Sequence, residues 1–475
     1  LKSDVETVEF SDGELTFSSG TGEDVRINTF TSNNQHNPSA TVLANDTYVV
    51  TWDSNYQDQG NHEHGVYGQV MSKTGMPLGD EFLVNTYTAG QQYYSSVAAL
   101  SDGGFVVTWR DDQGQSGSRD GNGIDVFGQR FDGFGGKVGD EFLVNFAADS
   151  GTQYQPSVAG LDNGKFVVTW RDDQGGSHDK SDTDSTVGVG VDVRAQMFTT
   201  TSIDTPQAAG GDFRVNTDTT GSQYEPSVTK LTDGGFVVTW RDDAGSSGID
   251  VYGQRFSADG SAKGSEFLVN TYTGGSQYEP SVSAINDGFV VTWRDNDGAG
   301  GSRDGSSYDV FAKTFTTKDV DTPDADVDEF LVNTFTTEYQ YQPDVTGLAS
   351  GGFVVTWRSE RQDGDSNNQY NVYGQRYDAN GNRQDGEFLV NTYTSSNQQE
   401  PSVAGFSDGS FVVAWESDSG DGSGWGVFAQ TFNADGSKGS PGLIGGSADE
   451  TLVFDAAQKG VSIDLGDGID KVDFG

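Results

Sequence analysis

Acidic side chains crowd one recurring place in this sequence, the turn that follows a tryptophan. Trp109-Arg110-Asp111-Asp112, Trp170-Arg171-Asp172-Asp173, Trp240-Arg241-Asp242-Asp243 and Trp293-Arg294-Asp295-Asn296-Asp297 repeat one pattern, and Trp357-Arg358-Ser359-Glu360 and Trp415-Glu416-Ser417-Asp418 are weaker versions. Another Asp precedes the next apolar segment, at Asp125, Asp192, Asp250 and Asp309. Carboxylates paired beside a glycine turn suit Ca²⁺, which takes roughly 6–8 oxygens at about 2.4 Å. Asp111, Asp112, Asp172, Asp173, Asp242, Asp243, Asp295 and Asp297 are therefore candidate calcium ligands, although none has the EF-hand spacing. The competing reading is that each Arg pairs with its neighbouring Asp and ties adjacent units together.

Other chemistry has less to work with. There is no Cys, and His36, His62, His64 and His178 are the four histidines. His62 and His64 flank Glu63 in what reads as an acidic surface loop. Glycosidase-type carboxylate pairs are inevitable among 72 acids, so no single pair stands out. Trp425 lies outside the recurring Trp position and is the candidate ligand-binding residue, as an exposed platform for a sugar. The segments that differ between copies (174–191, 298–308 and around 317–328) are rich in Ser, Asp and Gly and carry no nucleophile–base set. Near-equivalent copies of this kind predict a chain that is not an enzyme.

The formal net charge is −45, from 72 acidic against 27 basic residues. That balance argues against nucleic acid, which requires a basic footprint, and against docking on anionic lipid. No stretch approaches the roughly 20 apolar residues of a membrane helix. With 66 Gly and 10 Pro in 475 residues, and no collagen period, the composition reads as short strands joined by glycine turns.

Those residues are positioned by a repeat. Phrases close to EFLVNTYT, QYEPSV, GGFVVTWRD and DVYGQRF recur in fixed order. Trp52, Trp109, Trp170, Trp240, Trp293, Trp357 and Trp415 count seven copies. Asn28, Asn85, Asn145, Asn216, Asn270, Asn333 and Asn391 give the same count, as do Gln35, Gln92, Gln153, Gln223, Gln277, Gln340 and Gln398. The Asn and Gln read first as register residues that satisfy strand-end backbone groups; a ring of amides binding a glycan at a channel mouth is the alternative. Phe-Val-Val-Thr-Trp is apolar on both faces, as a strand sandwiched between two sheets is. The small residues of Pro-Ser-Val-Ala suit a crowded innermost strand.

Four strands per unit, seven times over, predict an all-β, seven-bladed β-propeller with four-stranded blades over residues 24–440. Units of roughly 60 residues are too short for separate sandwiches of about 100 and too long for β-helix coils. The chain order predicts closure. If EFLVNT is the outer strand of the preceding blade, Val25-Arg26-Ile27-Asn28 completes the last one and removes an exposed edge, as in WD-repeat propellers. The competing register, with EFLVNT innermost, has no shared closure.

The flanks differ. Gly445-Gly446-Ser447-Ala448-Asp449-Glu450-Thr451-Leu452 resembles the GGxGxDxLx nonapeptide of RTX calcium-binding proteins, departing at Ala448 and Glu450. Gly466-Asp467-Gly468-Ile469-Asp470-Lys471-Val472 follows it with Leu465 in place of the first Gly. Val5–Gly13 resembles the tail that follows such arrays. Residues 1–23 and 441–475 are thus expected to be RTX- or β-roll-like flanks, with Asp449, Glu450, Asp467 and Asp470 as calcium ligands. The resemblance implies a type I-secreted bacterial cell-surface protein that folds in external calcium. It also implies a non-enzymatic module serving adhesion, matrix or surface-layer assembly, with neighbouring copies or domains of a larger protein as partners. A carbohydrate-binding or polysaccharide-cleaving secreted propeller, with Trp425 and rim loops contacting glycan, is the alternative.

Overall fold

The computed structural model describes residues 24–439 apart from 58–63, 113–122, 146–150, 174–190, 201–204, 244–247, 297–307, 318–320, 322, 365–368 and 421. Short strands flank that body at Thr7–Phe10, Gly13–Thr16, Leu443–Ile444, Thr451–Phe454, Ile463–Asp464 and Lys471–Phe474. Every regular element among the described residues is a strand, and no helix is long and apolar enough to cross a membrane.

The strands form successive antiparallel sheets that follow the repeat, so the fold is all-β and propeller-like. In the first sheet Gln35–Val42, Tyr48–Asn55, His64–Met71 and Phe82–Leu83 pair in chain order. The first strands of the next six sheets are Gln91–Ala99, Gln153–Gly160, Gln223–Lys230, Gly275–Ile285, Gln340–Gly347 and Gln398–Gly405. In the seventh sheet the outermost place is taken by Val25–Arg26, which pairs antiparallel with Trp425–Phe432. A short parallel pairing, Gly248 with Gly275 and Ile249 with Ser276, links the fourth sheet to the fifth.

The repeated residue types explain the packing. The second strand is buried along its apolar length because sheets cover both its faces, as in Phe105–Asp112. All seven repeat tryptophans are at most 1% exposed. Between sheets, aromatic rings interlock: Phe105 stacks on Phe131 at 5.0 Å and Phe82 of the preceding sheet leans on Phe131 at 5.2 Å. The same trio recurs as Phe142, Phe166 and Phe198, and as Phe388, Phe411 and Phe432. Where the seventh sheet meets the first, Val25, Tyr48 and Met71 occupy the corresponding places, packed with Phe406.

The conserved-looking amides hold register within the chain. Asn85 Oδ1 accepts from Val66 N at 2.8 Å, and Asn145, Asn216, Asn270, Asn333 and Asn391 do the same for Val126, Val193, Val251, Val310 and Val372. Asn28 accepts from Val427 N at 2.8 Å, across 399 positions of sequence. First strands are stitched to one another by serines: Val97 N donates to Ser39 Oγ, Val158 N to Ser96 Oγ and Val228 N to Ser157 Oγ. Ala40 N donates to Ser402 Oγ at 3.0 Å, which carries the series from the seventh sheet back to the first. Gly160 permits this close approach, since a Cβ there would lie 2.0 Å from the Ala99 carbonyl oxygen.

Candidate active site

One residue in every first strand adopts the left-handed backbone: Asn37, Tyr94, Gln155, Glu225, Glu279, Gln342 and Glu400, with φ between 51° and 55°. Each sits at a β-bulge, where the register with the second strand shifts. A bulge re-aims its side chain, here toward the equivalent residue of the next sheet. Glu279 N donates to Glu225 Oε2 at 2.8 Å, Gln342 N to Glu279 Oε2 at 2.7 Å and Glu400 N to Gln342 Oε1 at 3.3 Å. Gln342 Nε2 also donates to Glu400 Oε1. Acids and amides thus form a linked series along the ends of the first strands.

Beside it runs a second series. The residue after Gln is Tyr93, Tyr154, Tyr224, Tyr278 or Tyr341, and the residue after Trp is Arg110, Arg171, Arg241, Arg294 or Arg358. Each pair faces the other across a strand pair, and the rings and guanidinium groups alternate between sheets. Arg171 lies 5.0 Å from Tyr154 and 4.5 Å from Tyr224; Arg241 lies 4.6 Å from Tyr224 and 5.1 Å from Tyr278. Such contacts are worth about 0.5–2 kcal/mol each, more where water is excluded. The arginines also meet acids: Arg110 with Asp112, Arg171 with Asp173, Arg241 with Glu225 and Arg294 with Glu279.

The seventh and first sheets break both series. Where the others have Tyr they have Gln399 and His36, and where the others have Arg they have Glu416 and Asp53. Glu416 is 2% exposed and fully engaged: Oε2 meets His36 Nδ1 at 2.9 Å and Asn37 N at 3.2 Å, and Oε1 accepts from Gln399 Nε2 at 2.6 Å. Arg358 donates to Gln399 Oε1 at 2.8 Å. Buried Asp53 accepts from Asn37 Nδ2 at 2.7 Å and Tyr94 N at 3.0 Å.

Acid groups concentrated without matching arginines have perturbed proton affinities. Burial, and then the charges of Glu416 and Glu279, push Glu400 up to about 8. Burial pushes Asp53 up to about 7 against its hydrogen bonds from Asn37 and Tyr94. Burial raises Glu279 as well, opposed by Arg294. Burial would lower His36, but the hydrogen bond and charge of Glu416 outweigh it and leave it raised. Burial and the His36 charge hold His64 down at about 4. Two carboxyl groups with unequal surroundings, one kept protonated and one beside a cation, are the equipment of acid–base chemistry.

The structure places the expected site residues in three ways. Asp111, Asp172, Asp242 and Asp295 turn inward, each accepting from the repeat Gln: Gln92, Gln153, Gln223 and Gln277 donate at 3.1–3.3 Å. Asp112 and Asp173 pair with their arginines, and Asp243 accepts from Ser222 N. Asp125, Asp192, Asp250 and Asp309 accept from the repeat Asn. Among the described residues no group of three or more His, Asp or Glu is arranged to hold a metal ion. Asp297, Asp449, Glu450, Asp467 and Asp470 lie outside the described residues. Trp425 starts the third strand of the seventh sheet, half-buried, with its ring 6.0 Å from that of His36. The sequence reading missed His36, Asp53, Glu279, Glu400 and Glu416 as site residues; the signal for His36, Asp53 and Glu416 was departure from the repeat at two adjacent copies, whereas Glu279 and Glu400 occupy the Glu of the repeated QYEPSV phrase.

No family model matches the chain, and no curated protein matches it. Solved structures similar to it include a protein of unknown function from Dyadobacter fermentans, 12% identical over 74% of this chain and 97% of that one, with a TM-score of 0.47. An α-L-arabinofuranosidase of Fusarium graminearum in complex with arabinobiose is 11% identical over 86% of this chain and 97% of that one, at 0.45. A Trypanosoma rangeli sialidase with the inhibitor DANA is 10% identical over 91% of this chain and 60% of that one, at 0.44. The expectation that the chain is not an enzyme is corrected here. The near-equivalence of copies on which that expectation rested fails at the seventh and first sheets.

Proposed function

We propose that the chain is a seven-bladed propeller, closed by its N-terminal strand, that binds and cleaves a polysaccharide at the channel mouth, along the first-strand ends that run from its fifth blade to its first. One observation carries this reading: the Arg–Tyr series is replaced there by Glu416, Asp53, Gln399 and His36, beside Glu400 and Trp425. Glu400 is the candidate general acid, keeping its proton at neutral pH to donate to the leaving glycosidic oxygen. Glu279, 29% exposed and held by Arg294 and the Gln342 amide, is the candidate partner carboxylate. Glu416 and His36 are positioning groups, and Trp425 offers an aromatic face to a sugar ring.

The test is reducing-end release from a panel of neutral and acidic polysaccharides. Glu400→Gln and Glu279→Gln should each lower kcat by about 10²–10⁴ on whichever polymer the wild type cleaves. Full activity in both variants, or no cleavage and no binding across the panel, sinks the proposal. The secreted, surface-protein setting and calcium at the glycine–aspartate flanks remain proposals from the RTX-like residues alone.

A further inference from the structure

In every sheet one position lies two places before the third-strand Val whose N–H donates to the repeat Asn. In the second, third and fourth sheets that position holds Ile124, Val191 and Ile249. In the fifth, sixth, seventh and first sheets it holds Tyr308, Tyr370, Trp425 and His64. The register is the same in all seven, so the change from aliphatic to ring side chains is confined to four consecutive sheets. All four rings are half-buried.

Each ring has aromatic company. Tyr308 lies 5.3 Å from both Tyr339 and Tyr341, and Tyr341 lies 6.4 Å from Tyr370. Trp425 is beside His36, and His64 lies 4.4 Å from Tyr93. The arc thus runs into the acid cluster from one side and leaves it on the other. The arginines nearest to it cannot serve an anionic ligand well. Arg294 is flanked by Tyr278 and Tyr308 and paired with Glu279, while Arg358 lies over Tyr341 and Tyr370 and donates to Gln399. The surrounding chain carries a net charge of −45.

Resting on the polysaccharide reading above, we infer that the fifth, sixth, seventh and first sheets form one extended binding track for a neutral glycan chain, several sugar units long. Rings spaced along a path favour the C–H faces of successive pyranose or furanose units, with hydroxyl edges left to the surrounding amides and Tyr OH groups. A small terminal sugar needs only the rings at the acid cluster; Tyr308 and Tyr370 matter only to a ligand that reaches them.

Affinity measured by titration calorimetry tests this, using neutral oligosaccharide ladders of two to six units from arabinan, xylan and β-glucan, with sialyllactose and oligogalacturonate as acidic comparisons. The hexamer of at least one neutral ladder should bind at least about tenfold more tightly than its dimer, and Tyr308→Ala/Tyr370→Ala should reduce that ratio to about twofold. Ile249→Ala, the same register position outside the arc, should leave the ratio unchanged. Equal affinity for dimer and hexamer in the wild type overturns the track while leaving cleavage at the mouth intact, and needs no variant. So does preferential binding of the acidic glycans. A chain that binds none of these glycans overturns both the track and the reading beneath it.

Discussion

Glu400→Gln isolates a strongly perturbed carboxyl at the ends of the first strands. Its acid form is favoured in the folded chain, from the usual 4.5 up to about 8. Between those values the folded protein holds a proton that the unfolded chain has lost, so stability is complete below about 4.5 and falls as pH rises through 8. A displacement of that size, taken whole, is worth about 4–5 kcal/mol. Glu400 is only half-buried at a channel wall, and screening by water leaves about 2 kcal/mol. Gln keeps the shape and a hydrogen-bonding oxygen but cannot titrate. Urea unfolding followed by Trp fluorescence at pH 5, 7 and 9 reads the difference directly. The wild type should lose about 2 kcal/mol more than Glu400→Gln between pH 5 and pH 9. Parallel pH dependences in the two proteins refute the assignment of the proton to Glu400.

Arg171→Ala removes a guanidinium held between Tyr154 and Tyr224 and should cost about 1–3 kcal/mol in urea unfolding; Arg171→Lys should recover little, since a point charge stacks poorly. Asn28→Ala strips the acceptor from the Val427 amide, for about 1–3 kcal/mol, and hydrogen exchange at Val427 should accelerate more than at Val251, which keeps Asn270. Asp111→Asn and Asp172→Asn should leave any calcium-induced rise in Tm at its wild-type size, because both carboxylates face glutamines; loss of that rise would place the ion in the blades.

Much of the architecture was legible because repetition averages out local ambiguity. Seven tryptophans, seven asparagines and seven glutamines mark the same strands, and the order of segments around Asn28 anticipated the pairing of Val25–Arg26 with the last copy. The same regularity concealed the site. Several of its residues are exceptions, and an exception such as Glu416 for Arg or His36 for Tyr gains meaning only when sheets seven and one become neighbours. The inward turn of Asp111 was available from strand periodicity: two places beyond the buried Trp109, it points to the same face. Its acidity beside a glycine-rich loop suggested a metal ligand, and its carboxylate accepts from Gln92. Glu400 could not be singled out from its letter at all, because its proton affinity comes from burial first and then from Glu416 and Glu279 on other strands.

The seventh sheet also brings the two ends of the described body together. Asp24 accepts from Thr392 N at 2.7 Å, and Lys438 donates to Thr392 Oγ1 at 3.0 Å, so the residues that lead into and out of the body share one anchor. A body whose ends meet is topologically a bead: it can be spliced into a host chain at a single point without prising the host apart, and its own cut point can be moved by circular permutation with little disturbance. The chain thus enters the described body at Asp24 and leaves it at Gly439 on the same small patch.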